Sequence, residues 1–97
     1  KLVCQGGMYS GAQFALDKPI IMGLDGNICT IIFRNDSEDV GKVHCRVELL
    51  GGKAYLEDLG SLCATYANTK KLAPYEKVEL SLGDCVKLGA KEIFILK

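Results

Sequence analysis

Lys42, His44 and Arg46 place three cationic or titratable side chains at every second position of the stretch DVGKVHCRVEL, Asp39 to Leu49. His44 is the only histidine of the chain. Histidine titrates near neutrality, so it can act as a general base when a nucleophile and an orienting carboxylate flank it. A second stretch, DLGSLCATYAN, contains side chains of those types in Ser61, Cys63 and Asp58. His44 and Cys45 are also metal-ligand types at adjacent positions. Lys42, Lys70 and Lys71 offer a third chemistry, attraction of an anion, if the segments carrying them converge.

The elements that must position these residues have short periods throughout. Val43, Cys45, Val47 and Leu49 alternate with His44, Arg46 and Glu48. A period of two predicts a half-buried strand, with Cys45, Val47 and Leu49 inward and Arg46 outward. Neighbouring strand residues point to opposite faces, so His44 and Cys45 are poorly placed to share a metal ion, and no metal site is expected. Gly51-Gly52 predicts a tight hairpin turn, and KAYLEDL the returning strand. ICTIIF reads as a buried β-branched strand after the turn signal Asp25-Gly26-Asn27, and RNDSED as a polar loop. Ala64 to Ala67 is a short pairing segment. VELSLGDCVKLG gives two strands about a turn at Gly83 and Asp84, and KEIFILK gives the last strand. No segment shows helical spacing over three turns. Many short strands separated by turn residues predict a sandwich or a barrel.

Composition removes several function classes. The 97 residues suit one domain, spanning 1–97, and twelve basic residues balance twelve acidic ones. A neutral chain lacks the charge excess that drives nonspecific nucleic-acid binding, so no nucleic acid is expected as a partner. No apolar run approaches the roughly 20 residues that cross a bilayer, and no signal peptide precedes the strands, so membrane insertion is not expected. The chain opens on Lys1, as expected of a domain excised from a larger protein. The five cysteines, Cys4, Cys29, Cys45, Cys63 and Cys85, are odd in number and form no CxxC pair. That predicts free thiols in a reducing compartment, hence a cytoplasmic protein or the cytoplasmic domain of a larger, membrane-associated one, and argues against a disulfide scaffold or a zinc finger. No glycine motif for a nucleotide is present, and no cofactor is expected. For His44 the structural reading, a ring that ties loops together through its two nitrogens, outweighs catalysis. Asp58, at a strand end before Gly60 and Ser61, reads as an acceptor for loop N–H groups rather than a catalytic acid.

Four motifs in order, IIMGLD at Ile20–Asp25, VGKVH at Val40–His44, DLGSLCATYAN at Asp58–Asn68, and LSLGDCVKLG at Leu80–Gly89, resemble the forkhead-associated (FHA) domain family over essentially the full chain. The resemblance implies an all-β sandwich of about eleven strands in two twisted, mostly antiparallel sheets. It also implies a phosphothreonine-dependent protein-interaction module whose binding surface is made by loops at one end. The family usually carries Gly-Arg where this chain has Gly23-Leu24, and that arginine binds phosphate. It usually carries Ser-Arg or Ser-Lys where this chain has Gly41-Lys42. Its later motif, Ser-x-Asn-Gly-Thr followed by an asparagine, here retains Ser61, Thr65 and Asn68 but has Cys63 for asparagine and Ala64 for glycine.

On this resemblance Leu24, Gly41, Lys42, Ser61, Cys63, Ala64, Thr65 and Asn68 are the degenerate counterpart of the phosphopeptide surface. Gly23, His44, Asp58, Gly83 and Asp84 are the structural positions. The expected function is a non-catalytic interaction or structural module that has lost phosphothreonine recognition. Its partner would be a protein or another domain of the parent chain. The alternative is weak phosphopeptide binding through Lys42, helped by Lys70 or Lys71. A small enzyme ranks last.

Overall fold

The computed structural model describes all residues except Asn35, Asp36 and Glu38. The polar loop expected over RNDSED lies at those three positions outside the described residues. Eleven strands form two sheets, and no helix occurs among the described residues. The strands are β1 (Leu2–Gly6), β2 (Gln13–Phe14), β3 (Ile20–Gly23), β4 (Ile31–Ile32), β5 (Cys45–Leu50), β6 (Lys53–Asp58), β7 (Thr65–Ala67), β8 (Lys70–Lys71), β9 (Lys77–Leu80), β10 (Cys85–Leu88) and β11 (Glu92–Leu96). One sheet has the order β2-β1-β11-β10-β7-β8 and the other β4-β3-β5-β6-β9. All pairings in the described ladders are antiparallel except β3 with β4. The all-β sandwich expected from the sequence is therefore present.

Alternation explains how the sheets face each other. Cys45 and Val47 of β5 and Leu56 of β6 are fully buried, and so are Val86, Leu88 and Phe94 from the opposite sheet. Arg46 points outward into a surface ion-pair group, 2.5 Å from Glu57 and 3.7 Å from Glu48. Edge-to-face contacts join Tyr9 to Phe14 and to Phe33 at ring-centre distances of 5.7 and 5.6 Å, filling one end of the core. The β5–β6 hairpin turns on Gly51 and Gly52, whose φ values of 60° and 82° are those a two-residue hairpin turn requires.

Three sequence expectations need correction. Leu49 continues the inward alternation but is 51% exposed, because it sits at the hairpin end of β5, past the cover of the second sheet. His44 does not join Arg46 on the outer face: β5 begins at Cys45, and His44 and Cys45 are both fully buried. ICTIIF is not one buried strand. Only Ile31–Ile32 pairs with β3, while Ile28 is exposed in a turn. That turn closes locally, with the Asn27 N–H on the Asp25 carboxylate at 2.9 Å and the Ile28 and Cys29 N–H groups on the Asp25 carbonyl.

Candidate functional site

Three loops meet at one end of the sandwich: residues 24–30 after β3, 40–44 before β5, and 59–64 after β6. The first two are stitched by backbone bonds. Leu24 N–H donates to the Gly41 carbonyl at 3.1 Å, and Asp25 N–H to the Lys42 carbonyl at 2.9 Å. The Cys29 thiol donates to that same Lys42 oxygen at 3.3 Å. This close approach accounts for Gly23: a Cβ there would stand 2.3 Å from the Lys42 oxygen.

His44 ties the second loop to the third. Its Nδ1 accepts the Gly41 N–H at 2.9 Å and lies 3.3 Å from the Ser61 hydroxyl. Its Nε2 donates to the Ala64 carbonyl at 3.0 Å. A carbonyl can only accept and an amide N–H can only donate, so the ring is neutral with its proton on Nε2. Burial holds its pKa below the ordinary value, and the bond to Ala64 and the charge of Asp58 oppose that shift only in part. Leu59 N–H donates to the His44 carbonyl at 3.0 Å, so the residue holds both its own loop and the next. These bonds occupy both ring nitrogens inside a covered site, leaving neither open to a substrate.

Asp58 secures the third loop from below. Its carboxylate accepts Gly60 N–H at 3.1 Å and the Thr65 hydroxyl at 2.7 Å. Ser61 folds back as well, its hydroxyl oxygen accepting Cys63 N–H at 3.1 Å. A Cβ at Gly41 would stand 2.6 Å from that Ser61 oxygen, so a side chain at position 41 and the present Ser61 rotamer compete for one space.

Between the loops lies an open depression of about 450 Å³ lined by Leu24, Gly41, Lys42, Ser61 and Cys63 together with Val43 and Leu62. Leu62 is fully exposed at its lip. Lys42 is the only charged side chain among the described lining residues and makes no ion pair among the described residues. Five of the eight surface residues expected from the sequence thus meet in one place. Ala64 lies beyond Cys63, in a smaller depression of about 160 Å³ that also touches Lys71.

Two expected surface residues serve other ends. Thr65 is buried, with its hydroxyl spent on Asp58. Asn68 lies past the far end of β7, where its side-chain oxygen accepts Cys85 N–H at 3.0 Å, and so it does not line the depression. Lys70 is likewise committed, bonded to Glu76 at 2.7 Å, so the three lysines do not form one rim. Val43 was not expected at the site. It has no side chain that draws notice, and it reaches the depression only because residues 41–44 lie outside the strand pleat.

The family model described as FHA domain matches residues 20–89. The chain belongs to the FHA domain family. Protein FraH of Nostoc sp. is 38% identical over 58 residues, covering 60% of this chain and 20% of FraH. The glycogen accumulation regulator GarA of Mycolicibacterium smegmatis is 30% identical over 95 residues, covering 98% of this chain and 57% of GarA. This FHA domain therefore spans between a fifth and somewhat over half of these relatives. The solved FHA domain of an Arabidopsis thaliana hypothetical protein superposes with a TM-score of 0.81 at 26% identity, over 97% of this chain and 80% of that one. Members of the FHA family are non-catalytic protein–protein interaction modules, and the loop end described above is where three of the four FHA motifs meet.

Proposed function

We propose that this FHA domain binds its protein partner at the loop end through apolar contact rather than through a phosphothreonine. The observation that carries the reading is the lining of the larger depression: Leu24, Val43 and Leu62 with a single ammonium group, Lys42. Leucine at position 24 supplies no hydrogen-bond donor, whereas the arginine usual there in the family offers a planar fork for phosphate. A phosphate dianion entering this depression would lose hydration with one flexible point charge to replace it. Apolar side chains grouped at a loop end, Leu62 exposed and Leu24 and Val43 half-buried, favour contact with a complementary apolar surface.

A second reading has one observation in its favour. Lys42 is exposed and makes no ion pair among the described residues, so it is available to an anionic group on a partner. Under this reading the domain retains weak phosphopeptide binding centred on Lys42.

An array of threonine peptides, each in phosphorylated and unmodified form, separates the two. The apolar reading expects no peptide to gain from phosphorylation. A set of peptides bound tightly only when phosphorylated would overturn it.

A further inference from the structure

A second apolar surface lies at the opposite end of the sandwich, away from the loops. There the β5–β6 hairpin and the β9–β10 turn stand apart, and a cleft of about 290 Å³ opens between them. Its floor is the end of the core itself: Leu16, Ala54, Leu80 and Leu96, each buried. Its walls carry Leu49 and Leu82, 51% and 78% exposed. Leucines at the mouth of a core expose apolar surface that a second apolar group would remove from water. By contrast, the outer face of the β5–β6–β9 sheet away from the cleft carries its own ion pairs, Arg46 with Glu57 and Lys77 with Glu48.

The charge around the cleft selects the occupant. Lys1, Lys53 and Lys97 line it, against one carboxylate, Glu79. Glu79 stands 3.8 Å from Lys53 with both side chains half or more exposed, a geometry that holds the lysine only weakly. We infer that this cleft is a docking site for a protein segment that inserts a leucine-like side chain flanked by Asp or Glu residues. The apolar side chain meets Leu49 and Leu82 over the core floor, and the carboxylates lie against the lysines. The cleft is too small for the whole face of a helix, so one or two anchoring side chains account for the contact.

Selection from a random peptide library displayed on phage tests this without a known partner. The library is panned on the wild-type domain after depletion on Leu82→Asp. The retained peptides should share an apolar residue next to acidic ones. Their affinity should fall by about tenfold or more in Lys53→Glu and weaken as salt rises. Leu62→Asp, at the loop end, should leave it unchanged. Leu82 and Lys53 are both well exposed, so matching melting temperatures show that lost binding is not lost folding. Retained peptides without acidic residues, full affinity for Lys53→Glu, or no peptide surviving the depletion step would each overturn the assignment.

Discussion

The Nε2 of His44 donates to the carbonyl of Ala64 across 3.0 Å, and with the Leu59 N–H on the His44 carbonyl it joins the loop before β5 to the loop after β6. The other ring nitrogen accepts the Gly41 N–H at 2.9 Å, so the imidazole is bonded on both sides. Replacing His44 with alanine leaves the Gly41 N–H and the Ala64 carbonyl without this partner in a covered site. The expected loss of stability is about 1–3 kcal/mol, read as a lower urea midpoint at unchanged slope. An unchanged midpoint would contradict the anchoring role.

The same geometry makes stability depend on pH. Burial lowers the folded-state pKa of His44 beneath the ordinary 6.5, so between the two values the unfolded chain holds more protons than the folded one. Stability is then complete above the ordinary value and falls as pH drops through it toward the lowered one. Urea unfolding from about pH 7.5 down to about pH 5.5 should show this decline in the wild type. It should be much reduced in His44→Ala, which lacks the imidazole. Equal slopes in the two proteins would assign the effect elsewhere.

Gly41 and Ser61 share one space, which predicts an asymmetry between two glycine substitutions. Gly41→Ser drives a Cβ to 2.6 Å from the Ser61 oxygen and should cost about 1–3 kcal/mol. Adding Ser61→Ala should recover much of that, because the clashing atom is a side-chain hydroxyl and the new serine lies within reach of His44 Nδ1. Gly23→Ala meets the Lys42 backbone oxygen at 2.3 Å, and no single side-chain change should rescue it. Thermal unfolding of the single and double variants measures both outcomes.

The thiols should divide into two classes. None of the five cysteines is in a disulfide, and Cys4, Cys29 and Cys45 are buried, whereas Cys63 and Cys85 are half-buried. Burial pushes the Cys45 thiol far above its ordinary range, with Asp58 adding to the shift. Burial raises Cys4 and Cys29 as well. Maleimide labelling of the native domain, followed by peptide mass analysis, should modify Cys63 and Cys85 and spare the other three until unfolding. Native labelling of Cys45 faster than global unfolding would contradict the packing.

The sequence makes the sandwich and the make-up of the loop end legible in different degrees. Cys45, Val47 and Arg46 are readable because alternation and burial agree in the middle of a central strand. Leu49 has the same pattern, but its exposure depends on where the opposite sheet stops, which no local signal records. Val43 and His44 are misleading because alternation assumes a pleat, and residues 41–44 follow a loop path set by bonds to Leu24, Asp25 and Met22. Leu24, Gly41 and Cys63 could be grouped only through the ordered FHA motifs. The motifs do not reveal that Thr65 turns inward to Asp58 or that Asn68 binds Cys85 on β10. Spacing along a motif gives order in the chain, and hydrogen-bond demand decides which side chains stay at the surface.

Among the described residues, Lys42 alone carries charge in the loop-end depression. Charge-assisted contacts contribute about 1.5–3 kcal/mol each, and 1.4 kcal/mol is about tenfold in affinity, so a site reduced to one flexible cation should bind phosphate weakly. The direct measurement is a nuclear magnetic resonance titration of the isotope-labelled domain with a phosphothreonine peptide and, separately, its unphosphorylated twin. It follows the backbone amides of Leu24, Lys42, Val43, Ser61 and Cys63. The two peptides should give the same small shifts, without saturation at micromolar concentration. A saturable, phosphate-dependent shift centred on Lys42 at low micromolar peptide would contradict it.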